Sequence, residues 1–212
     1  MEQTPPQQTQ QAPVPKPAKV NNMNKLTCVL NKKLQLVTDG VPPTDEGLVF
    51  MHKFPGSMGS KLEQDVAMFK EFGIKQVVCL IKMNEFEVLG VDVARYKAAM
   101  ESAGIQVVLY EMVEMGPPAD NHFKFDKTFM KTLHDTVQKA DTPVVVHCRV
   151  GVGRTGLVVA ALLLRLGLFA RTEEVVEFLR GVRHFNCVES KRQMVYLTEY
   201  ETFLSFEAAN KK

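Results

Sequence analysis

Pro143-Val144-Val145-Val146-His147-Cys148-Arg149-Val150-Gly151-Val152-Gly153-Arg154-Thr155-Gly156 is the stretch whose reading decides the fold. Its β-branched opening is too short for a helix and reads as a buried central strand. Apolar Leu157 to Ala170 follows, and reads as a buried helix beginning just after Thr155-Gly156. The turn between them joins a strand end to a helix start. Unpaired backbone N–H groups and the positive end of the helix dipole point into such a turn. Gly151 and Gly153 let it curl so that the N–H groups of Arg149, Val150, Gly151, Val152 and Gly153 face one centre. An anion fits there.

Cys148 shares that field. Helix N-termini and neighbouring cations favour the thiolate, which is the nucleophilic form of cysteine. Arg154 closes the turn, and its planar fork suits two oxygens of a phosphoryl group. Thr155 is expected to set a hydroxyl beside the sulfur. His147 is expected behind the turn, hydrogen-bonded to backbone.

With these residues, the segment His147-Cys148 through Arg154-Thr155-Gly156 resembles the cysteine-dependent protein tyrosine phosphatase superfamily, whose signature is a His-Cys pair, five residues, then Arg, Ser or Thr, and Gly. The resemblance spans roughly residues 45–205. The compact length is similar to the atypical dual-specificity branch. Ser190-Lys191-Arg192-Gln193-Met194-Val195-Tyr196-Leu197 is similar to the phosphatases of regenerating liver, the kinase-associated phosphatase and small atypical dual-specificity enzymes. The resemblance implies an α/β fold, a central mixed sheet flanked by helices, and hydrolysis through a phosphocysteine intermediate without metal or other cofactor. Carried over by position, Cys148 is the nucleophile, Arg154 binds phosphate, and Thr155 assists departure of the thiolate.

The family usually supplies a general acid, an Asp, from a mobile loop upstream of the cysteine. Here that segment is Met112-Val113-Glu114-Met115-Gly116-Pro117-Pro118-Ala119-Asp120, with no Asp just ahead of Gly-Pro-Pro. One register puts Glu114 in the acid's place, another Met115. Asp120 competes, although it also stands where Asp would cap the following helix. Both Glu114 and Asp120 stay open as the acid. Gln193 matches the family's water-positioning glutamine, yet Ser190-x-x-Gln193 is also a capping box. Arg149 is either a selector of acidic substrates or an ordinary exposed charge. Arg180, Arg183, His184, Lys191 and Arg192 read as a basic rim or a solvated helix end. Cys79 reads as a buried structural cysteine; the resemblance adds the alternative of a reversible disulfide partner for Cys148.

Composition narrows the class. The chain has 212 residues, a net charge of +2 and 45% apolar residues, which fits one globular domain with a tail and argues against nucleic-acid binding. Four cysteines without paired spacing imply neither a disulfide framework nor a zinc set. A thiolate nucleophile implies a reducing compartment, hence a cytoplasmic location with nuclear access. No signal peptide is read at the polar N-terminus, and Ala-Asn-Lys-Lys at the end has no prenylation cysteine, so no stable membrane anchor is expected. The expected partner is a phosphoprotein substrate; no obligate partner is inferred.

The chain reads as a Gln- and Pro-rich disordered tail over 1–24, a phosphatase domain over 25–206 and a short polar tail over 207–212. Within the domain, strands are expected at Leu26–Leu30 and Leu34–Val37, joined by a hairpin around Asn31-Lys32-Lys33, then at Leu48–Met51, Gln76–Ile81 and Gln106–Tyr110. Pro42-Pro43 breaks the chain after the hairpin. A capping box at Ser60 opens a helix that ends at Gly73. Further helices are expected over 91–103, 121–139, Thr172 to about Arg183, and Ser190 to about Phe206. The leading function is hydrolysis of phosphotyrosine, with phosphoserine and phosphothreonine as further substrates. The alternatives are a phosphate-binding pseudophosphatase or interaction module, and a phosphoinositide phosphatase.

Overall fold

The computed structural model describes residues 19–40 and 46–210. Residues 1–18, 41–45 and 211–212 lie outside them, and with them most of the expected N-terminal tail and the Pro42-Pro43 break. Five strands, β1 (Thr27–Asn31), β2 (Gly47–His52), β3 (Gln76–Cys79), β4 (Gln106–Leu109) and β5 (Val144–His147), form one sheet in the order β1-β2-β5-β3-β4. β1 is antiparallel to β2, and the other pairs are parallel. The valine run is the central strand, buried on both faces as a parallel strand under helices must be. The flanking helices are α1 (Leu62–Glu71), α2 (Met83–Val88), α3 (Val93–Ser102), α4 (His122–Phe125), α5 (Lys131–Gln138), α6 (Gly153–Arg165), α7 (Thr172–Val182) and α8 (Lys191–Ala209). This is the expected α/β architecture, with the Cys148 turn at the C-terminal end of β5.

Several boundaries differ from expectation, each for a local reason. Leu34–Val37 is not a strand: Leu34 takes a left-handed φ of 56°, and the pairing shrinks to a Leu30–Leu36 bridge. α1 is capped at Lys61 rather than Ser60, because the Ser60 hydroxyl donates to Asp65 Oδ2 at 2.5 Å and accepts from Lys53 Nζ at 2.5 Å. The 121–139 helix contains a π-helical segment at Asp126–Met130. Its apolar residues recur every four positions, which overshoots a 3.6-residue turn. The wider π turn returns Phe125, Phe129, Leu133 and Val137 to one buried side. Asn21 and Asn22, assigned to the tail, pack on the domain: Asn21 bridges to His184, and Asn22 Nδ2 donates to the Val182 carbonyl at 2.9 Å. α8 runs to Ala209, into the expected C-terminal tail.

Arg183 explains that N-terminal packing and corrects its reading as a rim or solvated residue. It is fully buried. Its Nη1 donates to the carbonyls of Asn22 (2.7 Å) and Lys25 (2.6 Å), and its Nη2 to that of Met23 (3.1 Å). Nε donates to the Gly151 carbonyl at 3.0 Å, so one guanidinium ties the start of the domain to the cysteine turn. Burial lowers its pKa to about 10, which leaves it charged at neutral pH.

Candidate active site

The cysteine turn is fastened on both sides before any chemistry is considered. The Phe54 N–H donates to the Arg149 carbonyl at 3.0 Å, and the Leu80 N–H to that of His147 at 3.0 Å. α6 begins at Gly153, four residues earlier than expected, so Arg154 and Thr155 stand on its first turn rather than in a loop. Cys148 is 2% exposed, and the Gly151 N–H lies 3.3 Å from its sulfur. Val152 is buried, Val150 is half-buried, and Arg149 is exposed.

The two glycines serve different purposes. Gly151 has a φ of +71°, and a Cβ there would lie 2.1 Å from the His52 carbonyl oxygen. Its backbone conformation and its close approach both demand glycine. Gly153 has no left-handed φ. A Cβ there would lie 2.1 Å from Glu189 Oε2, so this glycine admits a carboxylate rather than bending the chain.

His147 is fully buried behind the turn. Nδ1–H donates to the Cys148 carbonyl at 3.4 Å, which leaves Nε2 to accept from the Tyr96 hydroxyl at 2.6 Å. Burial lowers its pKa to about 3, so the ring is neutral and acts as a strut. Phe54 and Tyr96 pack edge-on against it and stack on each other, with Phe86 edge-on to both.

Arg154 is held by a residue that sequence reading passed over. Its Nη1 and Nη2 donate to Glu85 Oε1 and Oε2 at 2.6 and 2.7 Å, and Nη1 also to the Met112 carbonyl at 3.0 Å. Burial opposes the guanidinium's charge, but Glu85 outweighs it and holds the pKa above its ordinary value. Burial likewise opposes the Glu85 charge, and Arg154 outweighs it, keeping that carboxyl below the usual range. Glu85 also accepts from the Lys82 N–H at 2.9 Å and so closes the N-terminus of α2. The Lys82-x-x-Glu85 spacing and Gly90 after it were the available signal. Thr155 is fully buried, and its hydroxyl has no hydrogen-bond partner among the described residues.

The upstream acid candidates divide. Asp120 is not the helix cap: Asn121 is, accepting from the Lys124 N–H at 2.9 Å. Asp120 instead accepts from Lys124 Nζ at 2.6 Å and the Tyr110 hydroxyl at 3.1 Å, and the Lys124 bond keeps its carboxyl below the usual range. Glu114 is exposed, with one oxygen 3.8 Å from Arg149 Nη1. Met115, the other register, is exposed and left-handed at φ 58°. Gln193 forms the capping box: its N–H donates to Ser190 Oγ at 3.1 Å, and its Oε1 accepts from the Ser190 N–H at 3.2 Å. Its Nε2 donates to the Gly116 carbonyl at 3.3 Å, and the side chain is fully buried. The capping-box reading of Gln193 is thus the one its hydrogen bonds display.

Glu189 was not singled out by sequence, because the capping box directly after it absorbed the reading of that segment. Its carboxylate accepts from the Gly153 N–H at the start of α6. Burial raises its pKa, and the charge of Glu114 raises it further, while the Gly153 N–H and Arg154 oppose the shift without cancelling it. The Cys79 thiol, one strand away in register with His147, is pushed up to about 12 by burial. A cleft of about 410 Å³ along α8 is lined by Pro117, Lys191, Arg192, Val195, Tyr196 and Glu199, none of them in the cysteine turn.

Known proteins are similar to this chain. Over residues 53–168 the chain matches the family described as "Polymorphic toxin system, DSP-PTPase phosphatase". A solved structure of kinase-associated phosphatase with its catalytic-site cysteine changed to serine superposes with a TM-score of 0.66 at 21% identity, covering 76% of this chain and 89% of that one. PTPMT1 in complex with PI(5)P superposes with a TM-score of 0.59 at 16% identity, covering 76% and 94%. These two share the fold. From Arabidopsis thaliana, the phosphatidylinositol 3,4,5-trisphosphate 3-phosphatase and protein-tyrosine-phosphatase PTEN2A is 38% identical over 68 residues, 30% of this chain and 11% of its own length. The chain thus belongs to the DSP-PTPase phosphatase family, within the cysteine-dependent dual-specificity phosphatase superfamily.

Proposed function

We propose that the protein hydrolyses phosphotyrosine in proteins, with phosphoserine and phosphothreonine as further substrates, through a phosphocysteine intermediate. One observation carries the reading: a buried sulfur sits at the mouth of a turn whose Gly151 N–H points at it, while Arg154 is locked by Glu85 on the adjoining helix start. A phosphoryl group bound there meets the nucleophile, the backbone donors and a fixed cation together, so its developing charge is stabilised without reorganisation. Cys148 Sγ attacks phosphorus and the ester oxygen leaves; water then releases phosphate and returns the thiolate.

A protein substrate is favoured over a phosphoinositide. The only basic side chain added within the turn, Arg149, already faces Glu114. A carboxylate beside that arginine disfavours a headgroup with several phosphates. The lipid reading draws on PTPMT1, seen with PI(5)P, and on the plant PTEN2A. A side-by-side panel of phosphotyrosine peptides and short-chain phosphoinositides tests the choice, with Cys148→Ser as control. Cys148-dependent turnover confined to lipids would overturn it. Phosphate binding with no Cys148-dependent turnover on either would favour a pseudophosphatase.

A further inference from the structure

Two carboxyls touch the sulfur turn, Glu114 through Arg149 and Glu189 through Gly153, while Asp120 is bonded away from it. Asp120 is bonded to Lys124 and Tyr110 and held ionised. Glu114 is on an exposed segment, its side chain 55% exposed and facing Arg149. Glu189 is half-buried, seated on Gly153 at the position where any other residue's Cβ would collide with it.

The chain fixes Glu189 there from both sides. Val188 before it adopts a φ of 59°, which is unusual for a β-branched residue and marks a conformation imposed by its surroundings. Ser190 after it caps α8 and donates its hydroxyl to the Met115 carbonyl at 2.7 Å. The charged groups acting on its carboxyl are Glu114 from the upstream loop and Arg154 from α6, with the Gly153 N–H as hydrogen-bond donor. Burial, and after it the charge of Glu114, raise the Glu189 carboxyl above its ordinary value, whereas the Lys124 bond holds Asp120 below its own. Carboxyls driven apart in this way divide acid and base roles.

We propose that Glu189 is the catalytic acid–base residue of this site, protonating the ester oxygen that leaves when Cys148 takes the phosphoryl group. This rests on the phosphatase reading above. In the first step the sulfur–phosphorus bond forms and the phosphorus–oxygen ester bond breaks. Its electron pair goes to the leaving oxygen, which takes the Glu189 proton. In the second step water attacks phosphorus and gives one proton to the Glu189 carboxylate. The sulfur–phosphorus bond breaks, its pair returns to Cys148, and inorganic phosphate departs. Protons and charge balance over the cycle, and no further reactant is needed.

The test compares wild type, Glu189→Gln, Glu114→Gln and Asp120→Asn on phenyl phosphates of graded leaving-group acidity. General acid catalysis contributes about 10²–10⁴-fold, so Glu189→Gln is expected to lower kcat on phenyl phosphate at least a hundredfold. A dinitrophenyl ester, whose oxygen leaves unprotonated, should be affected only a few-fold. The basic limb of the kcat–pH profile should vanish in Glu189→Gln and return in Glu189→Asp, which restores a carboxyl. An unchanged leaving-group dependence in Glu189→Gln, or the same signature arising from Glu114→Gln or Asp120→Asn instead, overturns the assignment. If Glu189→Gln does not fold, as judged by thermal unfolding, Glu189→Asp decides: a wild-type leaving-group slope with a basic limb supports the proposal, and a missing limb refutes it. Turnover that survives Cys148→Ser sinks the phosphatase reading itself, a separable outcome.

Discussion

Replacing Glu85 by Gln isolates the part of the site that holds Arg154. The amide keeps one acceptor for Arg154 or for the Lys82 N–H, but it loses the charge and turns an N–H₂ toward the guanidinium. The Arg154 side chain is 2% exposed and that of Glu85 18%, so water replaces little of what is lost. A hydrogen bond to a charged group contributes about 1.5–3 kcal/mol. One such bond lost, with partial replacement at the Glu85 edge, gives a destabilisation of about 2 kcal/mol. At about 2–4 °C per kcal/mol for a chain of this size, Tm should fall by roughly 4–8 °C. Loosening Arg154 should also lower kcat/KM on aryl phosphates by about tenfold or more, the equivalent of about 1.4 kcal/mol. The pH dependence carries a definite sign. Glu85 titrates lower in the folded chain than in the unfolded one, so the unfolded chain takes up its proton first as pH falls. The pair's contribution is complete above the ordinary carboxylate range and is lost as pH falls through the folded value. Urea denaturation at pH 7 and pH 4 should therefore show the wild-type advantage over Glu85→Gln shrinking in acid. Equal Tm and equal kcat/KM for the two proteins would refute the claim that Glu85 holds Arg154 in place.

The two glycines of the turn should respond differently. Gly151→Ala drives a Cβ against the backbone oxygen of His52 at a left-handed φ and should cost about 3 kcal/mol or more; a Tm within a degree of wild type would contradict it. Gly153→Ala meets the Glu189 side chain first and should push its carboxyl off the helix start, so the fold should survive while turnover of poor leaving groups falls as in Glu189→Gln. His52 and His147 are lowered by burial to about 4 and about 3. Each stays neutral when folded, while the unfolded chain binds protons below about pH 6.5, so stability is full above that value and falls toward pH 4. Between pH 6.5 and 5 each should remove about 2 kcal/mol, measurable as a slope in urea unfolding free energy against pH; a flat profile would show these rings to be solvated. Mild peroxide should yield a Cys79–Cys148 disulfide peptide by mass mapping, since Cys79 lies in register beside His147; finding Cys148 sulfinic acid with Cys79 untouched would make Cys79 a packing residue only.

The sheet, the cysteine turn and the helix order were legible because each rests on local chemistry. The valine run, the glycine pair and the Ser190-x-x-Gln193 box speak within a few residues of themselves. What escaped was formed by residues distant in sequence. Glu85 reaches Arg154 across 69 positions, and nothing near Glu85 announces that partner. Arg183 stands in a basic run that reads as surface, yet it is the most deeply bonded cation described, because the carbonyls of Asn22, Met23 and Lys25 converge on it from the other end of the domain. Gln193 was legible as a cap, and its bonds to Ser190 show that cap formed. Gly153 was legible as a required glycine, but its reason, the approach of Glu189, lies on a segment that sequence places 36 residues away.

The upstream loop shows why an acid on a different segment suits this chain. Its carbonyls are held at three points: Met112 by Arg154, Met115 by Ser190 and Gly116 by Gln193. A loop closing over substrate would have to give up some of these bonds, each contributing about 1 kcal/mol. Moving Met112 would also disturb the arginine that binds the phosphoryl group. Glu189 avoids that conflict. It lies on the same segment as Ser190, so the bond that immobilises the upstream loop also fixes the carboxyl beside Gly153. Proton delivery from Glu189 then requires no loop closure, and its rate should follow leaving-group chemistry and pH rather than solvent viscosity. A kcat on phenyl phosphate that falls in proportion to added glycerol viscosity would show instead that a moving loop limits the reaction.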